Sequence, residues 1–102
     1  MVDEKLFKII NHYGILPQLK YFQSELFELN EAIIGYENDY EGLNLGNDTN
    51  HIAEEIADVM VMLLQFKEYY HIDGNIFFTI MNNKIDRQLQ RIEEEKKIGV
   101  EL

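Results

Sequence analysis

The chain is short and contains no cysteine: it has 102 residues, of which 46% are hydrophobic. This length fits a single domain spanning residues 1–102, with enough apolar material for a folded core. No apolar run approaches the roughly 18 residues of a membrane span, so we expect neither a transmembrane segment nor a signal peptide. The absence of cysteine excludes disulfides and thiolate metal sites, and it fits a reducing cytoplasm.

The overall charge is strongly acidic, with 19 Asp and Glu against 9 Lys and Arg and a net charge of −10. Such a surface repels nucleic acid polymers and anionic membranes, since both are bound through basic patches. A small polyanion would also be repelled unless metal ions or local cations accompanied it. We therefore expect neither a nucleic acid polymer nor a membrane as a partner.

The first two predicted helices are separated by a single glycine. The first runs from about Asp3, as N-cap, to Tyr13, and Gly14 is a typical helix stop. Pro17 then fits the first turn of the second helix, where its missing N–H is not needed. Apolar residues recur in this helix at spacings of 4 and 3, which predicts a buried stripe. Its members are Ile15, Leu19, Phe22, Leu26, Leu29 and Ile33.

A polar loop is predicted over residues 35–50, because glycine, asparagine and aspartate break the helical periodicity there. Asp48, Thr49 or Asn50 would cap the third helix, in which the same apolar spacing returns. The predicted buried stripe of this third helix consists of Ile52, Ile56, Val59, Leu63, Phe66 and Tyr70.

A short turn over residues 72–75 leads into a fourth helix, which begins near Ile76 and continues into the charged tail. Short connections between helices favour antiparallel neighbours. The predicted fold is therefore all-α, with the four helices arranged as an antiparallel bundle.

The third helix carries acids where apolar residues dominate. From Ile52 to Phe66, eleven of fifteen residues are apolar, and the only charged ones are Glu54, Glu55 and Asp58. On a helical wheel, Glu55 lies only about 50° from the centre of the apolar stripe. A buried carboxylate without a partner is costly, and the helix offers no cation before its C-terminal end. These acids therefore indicate a cation that the chain itself does not supply.

A matching pair, Glu25 and Glu28, lies on the second helix with the same spacing of three. Residues three apart share one helix face, so two such pairs on facing helices would bring four carboxylates into one pocket. Hard oxygen donors without cysteine favour Mg²⁺, or Mn²⁺, over zinc. The alternative is an ordinary solvated acidic face. A di-iron site needs Glu-x-x-His on two helices, and the chain does not carry that spacing twice. We interpret the histidines as surface or helix-end residues: His12, His51 and His71.

Three of the few cations lie on one face of the fourth helix: Lys84, Arg87 and Arg91, at spacings of 3 and 4. Arginine forks match phosphate oxygens and lysine supplies a point charge, so the group is a candidate phosphate clamp. The alternative is a set of ion pairs with neighbouring acids. A metal together with this clamp would admit a triphosphate that the net charge otherwise excludes.

These motifs resemble the MazG-type all-alpha nucleotide pyrophosphohydrolases. That family is marked by Glu-x-x-Glu followed, after a variable loop, by Glu-x-x-Asp, and here the pairs are Glu25–Glu28 and Glu55–Asp58 with 26 residues between them. The likeness extends over residues 17–91 and includes a downstream Lys, Arg and Arg, with Gln88 where the family has Asn. Phosphoribosyl-ATP pyrophosphohydrolases and dimeric dUTPases resemble the same plan of paired acids on helices. The short chain and compact loop favour the MazG-like branch over the dUTPase branch.

The resemblance implies Mg²⁺-dependent hydrolysis of a nucleoside triphosphate, ribo or deoxyribo, to the monophosphate and pyrophosphate. It assigns metal binding and catalysis to the paired acids, with Glu25 or Glu28 as general base, and pyrophosphate binding to the three cations. It also implies a homo-oligomer, a dimer or a tetramer, and a second apolar group on the second helix, Phe27 and Ile34, agrees with this.

Two other functions remain open: a nucleotide-binding or regulatory helical module with little catalysis, and a purely structural helical interaction protein. Four residues are candidates for a base pocket, with the core or a loop as the alternative: Tyr13, Tyr21, Asn30 and Tyr36.

Overall fold

A computed structural model describes residues 2–38 and 48–99 of the chain. The described residues contain four α-helices and no strand: α1 (Val2–Tyr13), α2 (Ile15–Glu37), α3 (Thr49–Tyr69) and α4 (Gly74–Lys97). The all-α prediction is confirmed. No helix in this part of the chain combines the length and the hydropathy needed to cross a membrane.

Gly14 separates α1 from α2 through its backbone conformation. Its φ of 91° is one that L side chains rarely adopt, so glycine is the residue that fits here. Its N–H donates to the carbonyl of Ile10 at 2.8 Å, which closes α1. Pro17 lies in the first turn of α2, as the sequence predicts.

The end of α2 differs from the prediction, because the helix continues through Gly35 to Glu37 instead of stopping before the predicted loop. Asn38 still donates its N–H to the carbonyl of Ile34 at 2.9 Å, so the helical ladder outweighs the weak propensity of one glycine. Residues 39–47 of the predicted loop lie outside the described residues. Of the three candidate caps of α3, Asp48 is the N-cap, and its side chain accepts the N–H of His51 at 2.8 Å.

The chain divides into two compact units, one ending at His71 and the other beginning at Ile72. In the first unit α1, α2 and α3 pack together, and α2 and α3 share the most extensive helix–helix contact. Phe22 and Phe66 meet edge to face across these two helices, with ring centroids 5.4 Å apart. The buried apolar core of the unit consists of Leu6, Ile10, Ala32, Val59 and Met62.

The predicted buried stripes of α2 and α3 are only partly right, because both helices are rotated away from them. On α2 the buried residues are Gln18, Glu25 and Ala32, and on α3 they are Val59, Met62 and Gln65. Both helices have apolar residues on more than one side, so hydrophobicity alone does not fix which side faces inward. The predicted stripe residues that are exposed instead are Leu19, Leu26 and Ile33 on α2, and Ile56, Leu63 and Tyr70 on α3.

The second unit contains α4, which begins two residues earlier than predicted. Asp73 is its N-cap and accepts the N–H of Ile76 at 3.0 Å. No residue of α4 is buried, and its large apolar side chains are mostly exposed. The antiparallel four-helix arrangement and the single domain of residues 1–102 stay predictions.

Candidate metal centre

Three of the predicted ligands converge between α2 and α3. One carboxylate oxygen each from Glu25, Glu28 and Glu55 lie within 4.8 Å of one another. The spacing of three places Glu25 and Glu28 on adjacent positions of α2, and the packing of α3 against α2 brings Glu55 to them. Three negative charges at this separation repel one another strongly unless a cation lies between them.

Two of these carboxylates each have one oxygen that is shielded from solvent and lacks the partners that buried charges normally have. Glu25 is 6% exposed, and the side chain of Glu55 is 12% exposed. Oε2 of each is shielded from solvent and accepts no hydrogen bond from the described residues of the unit. Leaving a buried charged group unsatisfied costs at least about 1–3 kcal/mol. A folded protein tolerates this where another group, outside the polypeptide, satisfies the oxygens.

Few positive charges approach this cluster within the described part of the first unit. Neither Glu25 nor Glu55 forms an ion pair with a lysine there. Nε2 of His51 lies 4.0 Å from Oε1 of Glu55, one turn away on α3. The donor set therefore consists of hard, anionic oxygens, which is the set that Mg²⁺, Mn²⁺ and Ca²⁺ prefer. The three glutamates fit a divalent cation.

Asp58, the fourth predicted ligand, lies one turn after Glu55 on α3 and is exposed. It is outside the group of oxygens within 4.8 Å and instead borders the adjoining cavity together with Glu25. Its charge still reaches this region, because it contributes to the raised pKa of Tyr21.

Tyr21 adds a contact to the cluster that the acid motif did not predict. A side-chain hydrogen bond to Glu25, one turn along α2, raises the pKa of Tyr21 above its ordinary value of 10.0. The negative charges of Glu25, Glu28 and Asp58 raise this pKa further. The phenol donates to the carboxylate of Glu25, while Oε2 of Glu25 stays without a partner.

We predict that Tyr21→Phe lowers the free energy of unfolding at pH 7 by about 0.5–1 kcal/mol, the low end for a hydrogen bond, because Tyr21 is 55% exposed. The raised pKa makes this contribution fully present below about pH 10, and it is lost as the pH rises through the raised value. Urea unfolding of both proteins across this pH range measures the difference. A difference that persists unchanged at the highest pH would contradict the assignment.

A cavity of about 560 Å³ opens next to the acids, between α1, α2 and α3. Glu25 and Asp58 form part of its wall, so a molecule in the cavity can reach the candidate metal centre. Of the candidates for a base pocket, Tyr13 and Tyr21 line it, and Asn30 and Tyr36 do not. The other lining residues are Ile9, Pro17, Val61 and Met62, which are apolar, and Gln18 and Gln65, which are polar.

Two buried glutamines on this wall were missed by the sequence reasoning. Nε2 of Gln18 on α2 donates to Oε1 of Gln65 on α3 at 2.8 Å. One signal was available: Gln65 is the only uncharged polar residue in the apolar stretch from Ile52 to Phe66. Gln18 also lies seven residues before Glu25, two turns away on the same helix face.

The histidines lie at helix ends, as predicted. His12 is in the last turn of α1, and His51 is in the first turn of α3. His71 follows α3 with a φ of 53°, and its ring contacts Phe7, with centroids 5.7 Å apart.

The three predicted phosphate-binding cations lie on α4, in the second unit. The side chains of Lys84, Arg87 and Arg91 are exposed there. Their role as a phosphate clamp stays a prediction.

Comparisons with known proteins add no family to this picture. Neither the models of known protein families, nor the curated proteins, nor the solved structures include a match to this chain. The resemblance to MazG-type proteins therefore rests on the sequence motifs.

Proposed function

We propose that this chain is a magnesium-dependent nucleoside triphosphate pyrophosphohydrolase that converts its substrate to a nucleoside monophosphate and pyrophosphate. One observation carries the proposal: Oε2 of Glu25 and Oε2 of Glu55 are buried without a hydrogen-bond partner. Glu28 adds a third oxygen within 4.8 Å of both side chains. The MazG-type motif supplies the reaction, and the cavity beside the acids supplies space for the nucleoside.

In this proposal Glu25, Glu28 and Glu55 hold Mg²⁺, and Asp58 completes the set from the edge of the cavity. A bound Mg²⁺ supplies charge neutralisation at the phosphate oxygens and a lower pKa for a coordinated water. Tyr21 donates a hydrogen bond to Glu25. The family implies Glu25 or Glu28 as general base, and we favour Glu28, because it is the exposed member of the pair and can exchange its proton with water.

The reaction proceeds by attack of a water oxygen on the α-phosphorus. The new P–O bond forms as the bond from the α-phosphorus to the bridging oxygen breaks, and the water proton passes to the carboxylate of Glu28. Pyrophosphate leaves with the bridging oxygen. The resemblance to MazG-type proteins assigns Lys84, Arg87 and Arg91 to its negative charges, and guanidinium and ammonium groups are suited to phosphate oxygens.

We also propose that the protein is a homodimer. Leu19, Leu26 and Ile33 recur along one face of α2 and are between 39% and 44% exposed, which leaves a row of apolar side chains in water. Sedimentation velocity is expected to give a dimer for the wild type and a monomer for Leu26→Glu, with Leu16→Glu as the control at a more exposed position. A stable wild-type monomer at micromolar concentration would contradict the dimer.

Product analysis tests the proposed reaction. The protein is incubated with a panel of ribo- and deoxyribonucleoside triphosphates, with Mg²⁺ or with excess chelator, and the products are separated by ion-exchange chromatography. The proposal expects monophosphate and pyrophosphate in equal amounts, only with Mg²⁺. Diphosphate and phosphate would assign a different reaction. Nucleotide binding by calorimetry without any product would support the regulatory binding module instead.

A further inference from the structure

The buried hydrogen bond between Gln18 and Gln65 contributes no more to folding stability than an apolar contact in the same place would. Gln18 is 9% exposed and Gln65 is 2% exposed. Folding therefore removes two amide groups from water, and they form one hydrogen bond of good geometry with each other. Among the described residues, the amide nitrogen of Gln65 has only the sulfur of Met62 as a partner, at 3.8 Å, and a thioether is a weak acceptor. Two apolar side chains of similar size would fill the same space at equal or greater stability.

The position of Gln18 and Gln65 places their polar groups at a cavity where they can bind a ligand. Gln18 and Gln65 line the same cavity as Glu25 and Asp58. Gln18 donates one N–H to Gln65, and no other hydrogen bond among the described residues of the unit involves the side-chain amide of Gln18. The cavity therefore presents one adjacent hydrogen-bond acceptor and donor among apolar and aromatic walls formed by Ile9, Tyr13 and Pro17.

We propose that Gln18, held in place by Gln65, binds the hydrogen-bonding edge of the substrate's nucleobase. Each unmodified base carries a donor next to an acceptor on its Watson–Crick edge, and a primary amide pairs with such an edge through two hydrogen bonds. The apolar and aromatic lining residues suit the faces of the ring, and the acids that line the same cavity would lie toward the phosphates. The inference rests on the proposed function, and it adds that a base with a blocked edge is rejected.

Nucleoside monophosphates test this without requiring turnover. Binding of UMP, CMP, AMP and GMP, and of 3-methyl-UMP and 1-methyl-GMP, is measured by calorimetry with Mg²⁺ present. In the two methylated nucleotides the methyl group replaces the hydrogen of the ring N–H, so it removes the donor of the Watson–Crick edge and blocks that edge sterically. We expect UMP and GMP each to bind about tenfold more tightly than the methylated form, because methylation removes one buried hydrogen bond.

Variants of Gln18 and Gln65 test whether these two residues cause the weaker binding of the methylated nucleotides. In Gln18→Leu the ratio of affinities is expected to fall to about one, whereas Gln23→Leu, the same change at an exposed position of α2, keeps the wild-type ratio. Gln18→Leu leaves the amide of Gln65 unpaired and can impair folding. The double variant Gln18→Leu/Gln65→Leu removes both amides, so it is expected to fold at least as stably as the wild type and to lack the discrimination.

The outcomes separate this inference from the proposed function. Equal binding of methylated and unmethylated monophosphates by the wild type would overturn the inference, as would discrimination that survives in the double Leu variant. Pyrophosphate release together with either result would leave the enzyme assignment standing. Discrimination that disappears with Gln18, in a protein that releases no pyrophosphate, would support the inference and overturn the enzyme assignment.

Discussion

Mg²⁺ is expected to raise the melting temperature of the wild-type protein by about 10–20 °C when its concentration is about 100 times the dissociation constant. The three glutamates converge only in the folded chain, so the ion binds the native state and not the unfolded one. Without the metal, the mutual repulsion of the carboxylates and the two unpartnered Oε2 atoms lower the stability of the fold. Thermal unfolding with Mg²⁺ or with chelator measures the difference.

Glu25→Gln is the variant that separates metal binding from ordinary stabilisation. It removes one of the converging charges, and its amide oxygen can still accept the hydrogen bond from Tyr21. We expect the variant to melt above the wild type in chelator and to lose most of the response to Mg²⁺. Glu37→Gln, at the exposed end of α2, removes the same charge and should respond to Mg²⁺ like the wild type. An equal Mg²⁺ shift in both variants would rule out the cluster as the binding site.

Glu55→Gln is expected to lower kcat for pyrophosphate release by about 10³-fold. The change is nearly isosteric, but it removes an anionic ligand from a set whose metal contributes several kcal/mol to the transition state, and roughly 4 kcal/mol corresponds to this factor. Quench-flow measurement of a single turnover at saturating Mg²⁺ and substrate isolates the chemical step from weakened binding.

The control for this variant is again Glu37→Gln, which should turn over within about twofold of the wild type, because surface changes away from a site have small effects. Circular dichroism of Glu55→Gln should match that of the wild type, which excludes misfolding as the cause. A kcat for Glu55→Gln within tenfold of the wild type would remove Glu55 from the metal set.

Glu55 illustrates what could be predicted from the sequence. Its place in an apolar stretch of α3 predicted a buried carboxylate without a cation, and the structure places it 12% exposed with an unpartnered oxygen. The spacing of Glu25 and Glu28 predicted a shared helix face, and their oxygens lie in one group with those of Glu55. These predictions succeeded because they depend on helical periodicity and on the cost of burying charge, which are local properties.

The rotation of the helices could not be predicted in the same way. Leu26 and Leu63 belong to regular apolar stripes, yet they are 39% and 43% exposed, because α2 and α3 turn Glu25, Gln18 and Gln65 inward instead. The hydrogen bond between Gln18 and Gln65 joins residues 47 apart in the chain. This hydrogen bond depends on how α2 and α3 are aligned along each other, and the spacing of residues within either helix does not determine that alignment.

The buried polar groups of the first unit are concentrated on one side of the fold. Glu25, Gln18 and Gln65 are its only buried polar residues among those described, and all three line the same cavity. Each lowers stability relative to an apolar residue of similar size unless a partner satisfies it. Proteins commonly retain such destabilising groups where a ligand completes them, and an ion and a nucleotide base would do so here.

The most direct test of the candidate metal centre is an electron paramagnetic resonance titration with Mn²⁺, in which the signal of free Mn²⁺ falls as the ion binds. With the protein in excess, we expect a strong loss of free signal for the wild type, its reversal by millimolar Mg²⁺, and little loss for Glu25→Gln or Glu55→Gln. A free Mn²⁺ signal that the wild type leaves unchanged, or that all three proteins reduce equally, would contradict a metal site at Glu25, Glu28 and Glu55.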